Sequence, residues 1–175
     1  RTVSGVSQSG FSYLGSAQAC QGTFPVIIDN QPGDAVWRNS NSGLYDVRFT
    51  DAEGLRRADI EVHPVPGLGG LALQGWTLTL SLVGGTSYSA PWPLLVSTWD
   101  ALQEGVNFIS VRVTDSDLNS KQAIDVFEVR KDTMPPTSIF IGGWTAPAGV
   151  PVLPWSAATD ATSGVAFYRV YSSAT

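Results

Sequence analysis

The 175-residue chain carries 10 Lys and Arg against 15 Asp and Glu, a net charge of −5, which argues against nucleic acid, whose backbone demands clustered cations. It is charge-poor at 14%, yet its 43% hydrophobic and 10% aromatic content is too high for an intrinsically disordered chain. One His and one Cys exclude a His/Cys zinc site and an intrachain disulfide, and no apolar run approaches the ~18–20 residues of a membrane-spanning helix.

Residues 1–24 are polar and Gly/Ser-rich, with Phe11, Tyr13, Leu14 and the single Cys20 among them. Nothing around Cys20 marks a reactive thiol; it reads as a small strand residue, with an intermolecular cross-link as the alternative. Val26-Ile27-Ile28 is a short apolar run. After the turn Asn41-Ser42-Gly43, residues Leu44 to Phe49 alternate as half-buried strands do, and Ala58 to Val62 repeat the pattern beyond Ala52-Glu53-Gly54. This phase puts Asp46, Asp59 and Glu61 on the solvent side. His63 ends the second run before Pro64-Val65-Pro66; with no G-x-S-x-G elbow or comparable nucleophile motif, it does not indicate a catalytic triad.

Beyond Pro66-Gly67, Trp76 to Leu82 alternate again, with Trp76, Leu78 and Leu80 in the expected core phase, and Gly84-Gly85 follows. Trp92, held between Pro91 and Pro93, is the best candidate for an exposed ring that stacks on a glycan. Gly or Pro interrupts almost every window in which a helix would show. Gln103-Glu104-Gly105 introduces another strand with Ile109, Val111 and Val113 inward. Asp115, Asp117 and Asn119 then stand at positions 1, 3 and 5 of a calcium loop. Ser120 and Val126 occupy the places where an EF-hand requires Gly and Glu, so that motif is excluded. Two readings stay open: a looser calcium site that adds Asp132 or Asp160, or an Asp/Asn hairpin bonding its own backbone. Short alternating strands at this spacing predict an all-β sandwich or barrel.

An internal period emerges from two landmarks. Asp51-Ala52-Glu53-Gly54-Leu55 aligns with Asp160-Ala161-Thr162-Ser163-Gly164-Val165, one residue longer, with the aspartates 109 apart. Thr23-Phe24-Pro25 aligns with Thr133-Met134-Pro135 at an offset of 110. The period is near the ~100 residues of an Ig-type sandwich. Met134-Pro135-Pro136 is a natural boundary, since prolines remove ladder donors and stiffen a connection.

Three stretches resemble the Ig-like and fibronectin type III-like repeats of bacterial surface proteins. Leu102 to Asp115 with Asn119 is similar to their penultimate strand and hairpin; Val129 to Thr137 is similar to their inter-repeat junction. Val152 to Asp160 with Ser163 to Tyr171 is similar to strands B and C of a further repeat. Two positions depart from the pattern. Asn107 stands at the tyrosine-corner position, so the corner bond is either remade or lost. Leu118 replaces the usual Gly of the hairpin, which predicts a turn other than the standard left-handed one.

The resemblance implies an all-β, Ig-like, antiparallel Greek-key sandwich over residues 25–134, with partial repeats at both ends. Residues 135–175 correspond to strands A–C of a second domain with Trp155 as its core tryptophan, and residues 1–24 to a preceding tail, linker or donor strand. Thirty-nine residues, 137–175, cannot close a sandwich alone. The chain, which begins at Arg1, is therefore expected to be a processed product or a piece of a longer array, or to be completed by another chain. In the latter case Phe11, Tyr13 and Leu14 add as a strand to Trp155, Phe167 and Tyr168 of a neighbour, head to tail. The implied role is a structural, non-enzymatic stalk, spacer or filament subunit outside the cell, without an obligatory cofactor. The alternatives are a glycan-binding or adhesive module and an accessory domain of a secreted hydrolase.

Overall fold

The computed structural model describes residues 22–31 and 36–171. Its strands are β1 (Val26–Asp29), β2 (Trp37–Arg38), β3 (Val47–His63), β4 (Gln74–Tyr88), β5 (Gly105–Asp115) and β6 (Ser120–Lys131). They form one mostly antiparallel sheet in the order β1-β3-β5-β6-β2, with β4 on β3. Among the described residues, only the β2–β6 pair is parallel. The protein is all-β, as the alternation predicts.

The 17-residue β3 spans two environments because it bends in the middle. Val47–Thr50 pair with β1, whereas Leu55–His63 pair with β5. At the bend, Asp51 Oδ1 accepts the amides of Glu53 and Gly54, at 2.9 and 3.1 Å. Gly54 has φ 108, a left-handed backbone that glycine adopts without a Cβ clash. The strand thus runs through the turn that its sequence marks. Past the bend the two halves face each other: the Tyr45 ring, just before β3, stacks on Phe127 of β6 with centroids 4.3 Å apart.

Between the halves lies the core, in which Val47, Phe49, Ile60, Val62, Ile109, Val111, Val113 and Val129 have no exposed surface. Each such side chain contributes about 1.5–3 kcal/mol by leaving water. The alternation read over residues 44–49 and 109–113 therefore holds. It fails in β4, where register shifts opposite Ala58 and Asp59 break the phase. Leu80 packs partly buried against the core as expected and Leu82 is buried, but Leu78 is half exposed, and the half-buried Trp76 lies beneath the Arg112 guanidinium, 4.5 Å from its ring centroid. Asp59 also departs from its expected solvent position: it is 2% exposed because Arg57 and Arg112, each 3.2 Å away, close over it.

Among the described residues one α-helix, α1 (Val96–Ala101), departs from the expectation of strands alone. It is too short to show an amphipathic period. Its open carbonyl end is bound by the Lys131 ammonium, which donates to Trp99 O and Leu102 O at 3.1 and 3.0 Å.

Both departures from the resembled pattern are resolved by hydrogen bonds. Asn107, fully buried, remakes the corner: its Oδ1 accepts from Gln103 N, and its Nδ2 donates to Gln103 O, Gly105 O and Val129 O. The hairpin expectation is overturned. Leu118 itself takes the left-handed conformation, with φ 71, because Asp115 grips both sides of the turn. Asp115 O accepts from Leu118 N, and its carboxylate accepts from Asn119 N and Nδ2.

Candidate functional site

After β6, Asp132 leads through Pro135-Pro136 into residues 137–171, which contain no regular strand and no buried residue. The backbone here is nonetheless ordered by specific pairs. Thr137 N bonds Thr159 O, Ser156 N bonds Phe140 O, and Ile141 and Trp155 form an antiparallel bridge. A shift of 110 residues carries the pair Ile27–Phe49 onto Thr137–Thr159. The same shift carries Asn30–Asp46 onto Phe140–Ser156, so the register of β1 against β3 recurs.

The turn that follows recurs as well. Asp160 Oδ1 accepts the amides of Thr162, Ser163 and Gly164, and Gly164 has φ 80, the counterpart of Asp51 and Gly54. In both places the entering segment touches this turn: Thr23 Oγ1 donates to Glu53, and Asp132 Oδ2 accepts from Ser163 N at 3.2 Å.

Several exposed apolar residues lie together on one face of this segment. Ile139, Ile141, Leu153, Trp155, Tyr168 and Val170 line a groove of about 180 Å³. Trp155 is 44% exposed, its ring tilted against Tyr168 at 6.4 Å, and Val170 is 66% exposed. Of the residues expected to form an interface, Trp155 and Tyr168 belong to this face. Phe167 does not: it points away, beneath the Arg169 guanidinium at 5.0 Å. Phe11, Tyr13, Leu14 and Cys20 lie outside the described residues. Ile139, Ile141, Leu153 and Val170 were not anticipated, although the short apolar run Ile139-Phe140-Ile141 carries a signal.

The remaining candidates resolve differently. Trp92 is 1% exposed, a correction to its expected role as a sugar-stacking ring. Its Nε1 donates to Val47 O at 3.0 Å, its backbone pairs with Tyr45, and its indole meets Phe127 edge-on. The flanking prolines fix a core plug instead of presenting a surface ring. Asp115 and Asn119 come together, but as hydrogen-bond partners, with both Asp115 oxygens engaged; Asp117 is exposed. Among the described residues no three His, Cys, Asp or Glu side chains converge as metal ligands. His63 Nδ1 donates to Gly69 O at 3.2 Å, which binds the ring to the β3–β4 loop.

At the junction, Trp37, Arg38, Asp132, Pro135 and Asp160 border a broad depression of about 500 Å³. Its carboxylates serve the backbone. Asp132 accepts from Met134 N and Ser163 N, and the amides of Thr162, Ser163 and Gly164 hold Asp160 below the usual carboxylate range. Asp51, by contrast, is pushed up by burial, with the charges of Glu53 and Asp115 nearby adding to the shift. Its Oδ2 is buried without a hydrogen-bond partner among the described residues.

No protein family, no curated protein and no solved structure matches this chain. No helix among the described residues is long and apolar enough to cross a membrane.

Proposed function

We propose that the chain is a structural repeat segment of a secreted or cell-surface protein, a stalk, spacer or filament element. Residues 25–134 make one Ig-like Greek-key sandwich, residues 135–175 the opening half of the next, and residues 1–24 belong to a preceding tail, linker or donor segment. The observation that carries this reading is the recurrence, 110 residues apart, of the β1–β3 register together with its Asp-capped turn. Recurrence of register is expected of repeated modules and serves no catalytic purpose.

The pairing of β3 and β4 also supports the Ig-like assignment. β1, residues 47–50 and the end of β4 belong to one layer; the start of β4, residues 55–63, β5 and β6 belong to the other, with β2 parallel to β6. An architectural role fits a chain whose carboxylates and lone histidine are spent on turns, arginines and loop carbonyls. The low charge and the absence of paired cysteines suit an extracellular bacterial module, with neighbouring repeats or copies of itself as partners. Neither a calcium ion nor a glycan enters this reading.

Electron microscopy of the native material tests it. Rods with a bead spacing of roughly 40 Å are expected, the length of the 11-residue β5 at ~3.3 Å per residue. A compact, non-periodic particle, or a catalytic domain on the same polypeptide, overturns it.

A further inference from the structure

The first copy of the repeated unit records what covers the face that the second leaves open. A shift of 110 residues places Trp155 at the position of Tyr45, Tyr168 at Ala58 and Val170 at Ile60. All three counterparts are at most 1% exposed. β5 and β6 lie against them together with β4 and Trp92: Tyr45 stacks on Phe127 and meets Trp92, Ala58 pairs with Val113 and Leu80, and Ile60 pairs with Val111 and Thr77. Residues 165–171 occupy the place of the β3 segment that receives β5, and no strand lies beside them among the described residues. Asp160 and Arg169 are the only charged side chains in 137–171, and of the two only Arg169 borders the groove, whose other lining residues are apolar or aromatic. No sheet in the first unit is free to cover it, since the inner faces of β5 and β6 already hold their own core.

We propose that the face of Ile139, Ile141, Trp155, Tyr168 and Val170 is an acceptor for a β-hairpin of the β5–β6 kind from this repeat class. The inference rests on the repeat reading above. The hairpin's first strand runs antiparallel to residues 165–171 and carries aliphatic side chains at alternate positions; its second strand brings a ring over Trp155. Specificity follows from one substitution between the copies. Tyr168 fills the space that Ala58 leaves for Val113, so the cognate hairpin has a smaller side chain at that position.

The probe is a synthetic peptide of residues 103–133 carrying Val113→Ala, added to the 175-residue chain and followed by hydrogen exchange. Saturable binding that slows exchange of amides 165–171 by about tenfold or more is expected. The unsubstituted peptide is expected to bind about tenfold more weakly, from overpacking against Tyr168. Val170→Asp is expected to abolish protection while the melting of the first unit is unchanged. Absence of protection with both peptides overturns the proposal, as does protection that survives Val170→Asp. Concentration-dependent protection of 165–171 in the chain alone, with a doubled mass, also overturns it by assigning the face to a second copy. Microscopy keeps the two readings apart: rods with an unresponsive face reject only the acceptor, and peptide capture by a non-periodic particle rejects only the array.

Discussion

Asp51 and Asp160 begin the same turn in two copies of one motif, yet their carboxyl groups are displaced in opposite directions. Each offers Oδ1 to the amides that follow it, and each turn closes on a left-handed glycine. What differs is the cover. Asp51 is buried, with Glu53 and Asp115 nearby, so the cost of stripping water from a charge prevails over the two amides. Asp160 is only partly buried, and there the amides prevail. Local sequence therefore builds the turn, while the burial around it sets its electrostatics. The same contrast runs through the aromatics: Trp92 is sealed, and Trp155 waits in solvent.

Truncating those two tryptophans is the strongest test of the contrast. Trp92→Ala is expected to destabilise residues 25–132 by about 3–5 kcal/mol in urea denaturation, through a cavity and the loss of the bond to Val47 O. Trp155→Ala is expected to change that transition by no more than about 0.5 kcal/mol. Comparable losses would mean that the two regions share a core. Asn107→Ala comes next, at about 2–3 kcal/mol, because it removes the bond to the buried carbonyl of Val129 together with the corner bonds to Gln103 and Gly105. Leu118→Gly is expected to act in the opposite direction, a gain of about 0.5–1 kcal/mol from relieving a left-handed leucine that is 64% exposed.

The smallest effect is the most specific. Asp51 holds its proton to higher pH when folded than when unfolded, so its contribution is full below the unfolded pKa and is lost as pH rises through the folded one. Asp51→Asn is therefore expected to raise the melting temperature near pH 7 and to leave it unchanged near pH 3, where both states are protonated. A gain that persists in acid would locate the effect in packing, not ionisation.

Legibility in the sequence followed the length scale of the determining interaction. Strands such as 44–49 and 109–113 were readable because alternation is local and each faces a single core. β4 was not, since its irregular pairing with β3 reassigns its faces residue by residue. Trp92 was misplaced because adjacent prolines indicate rigidity without direction; only the distant Tyr45 and Phe127 decide that the ring turns inward. Leu118 escaped for a similar reason, as Asp115 restrains the turn that glycine would otherwise form unaided. The open face was half visible. Its period could be read from Asp160 and Pro135, but its lining depends on register, which required the pairing of Ile141 with Trp155.

The two-residue parallel pair of β2 with β6 has a mechanical consequence. Trp37 and Arg38 lie beside Arg130 and Lys131, and Asp132 N adds a bond to Arg38 O. Tension entering from residue 22 and leaving through Pro135 pulls these neighbouring strands in opposite directions along their length. Their hydrogen bonds must then slide together, instead of opening singly as the rungs of an antiparallel zipper do. The shortest strand of the sheet thus resists by sliding once β1, nearer the entering end, has been drawn off β3.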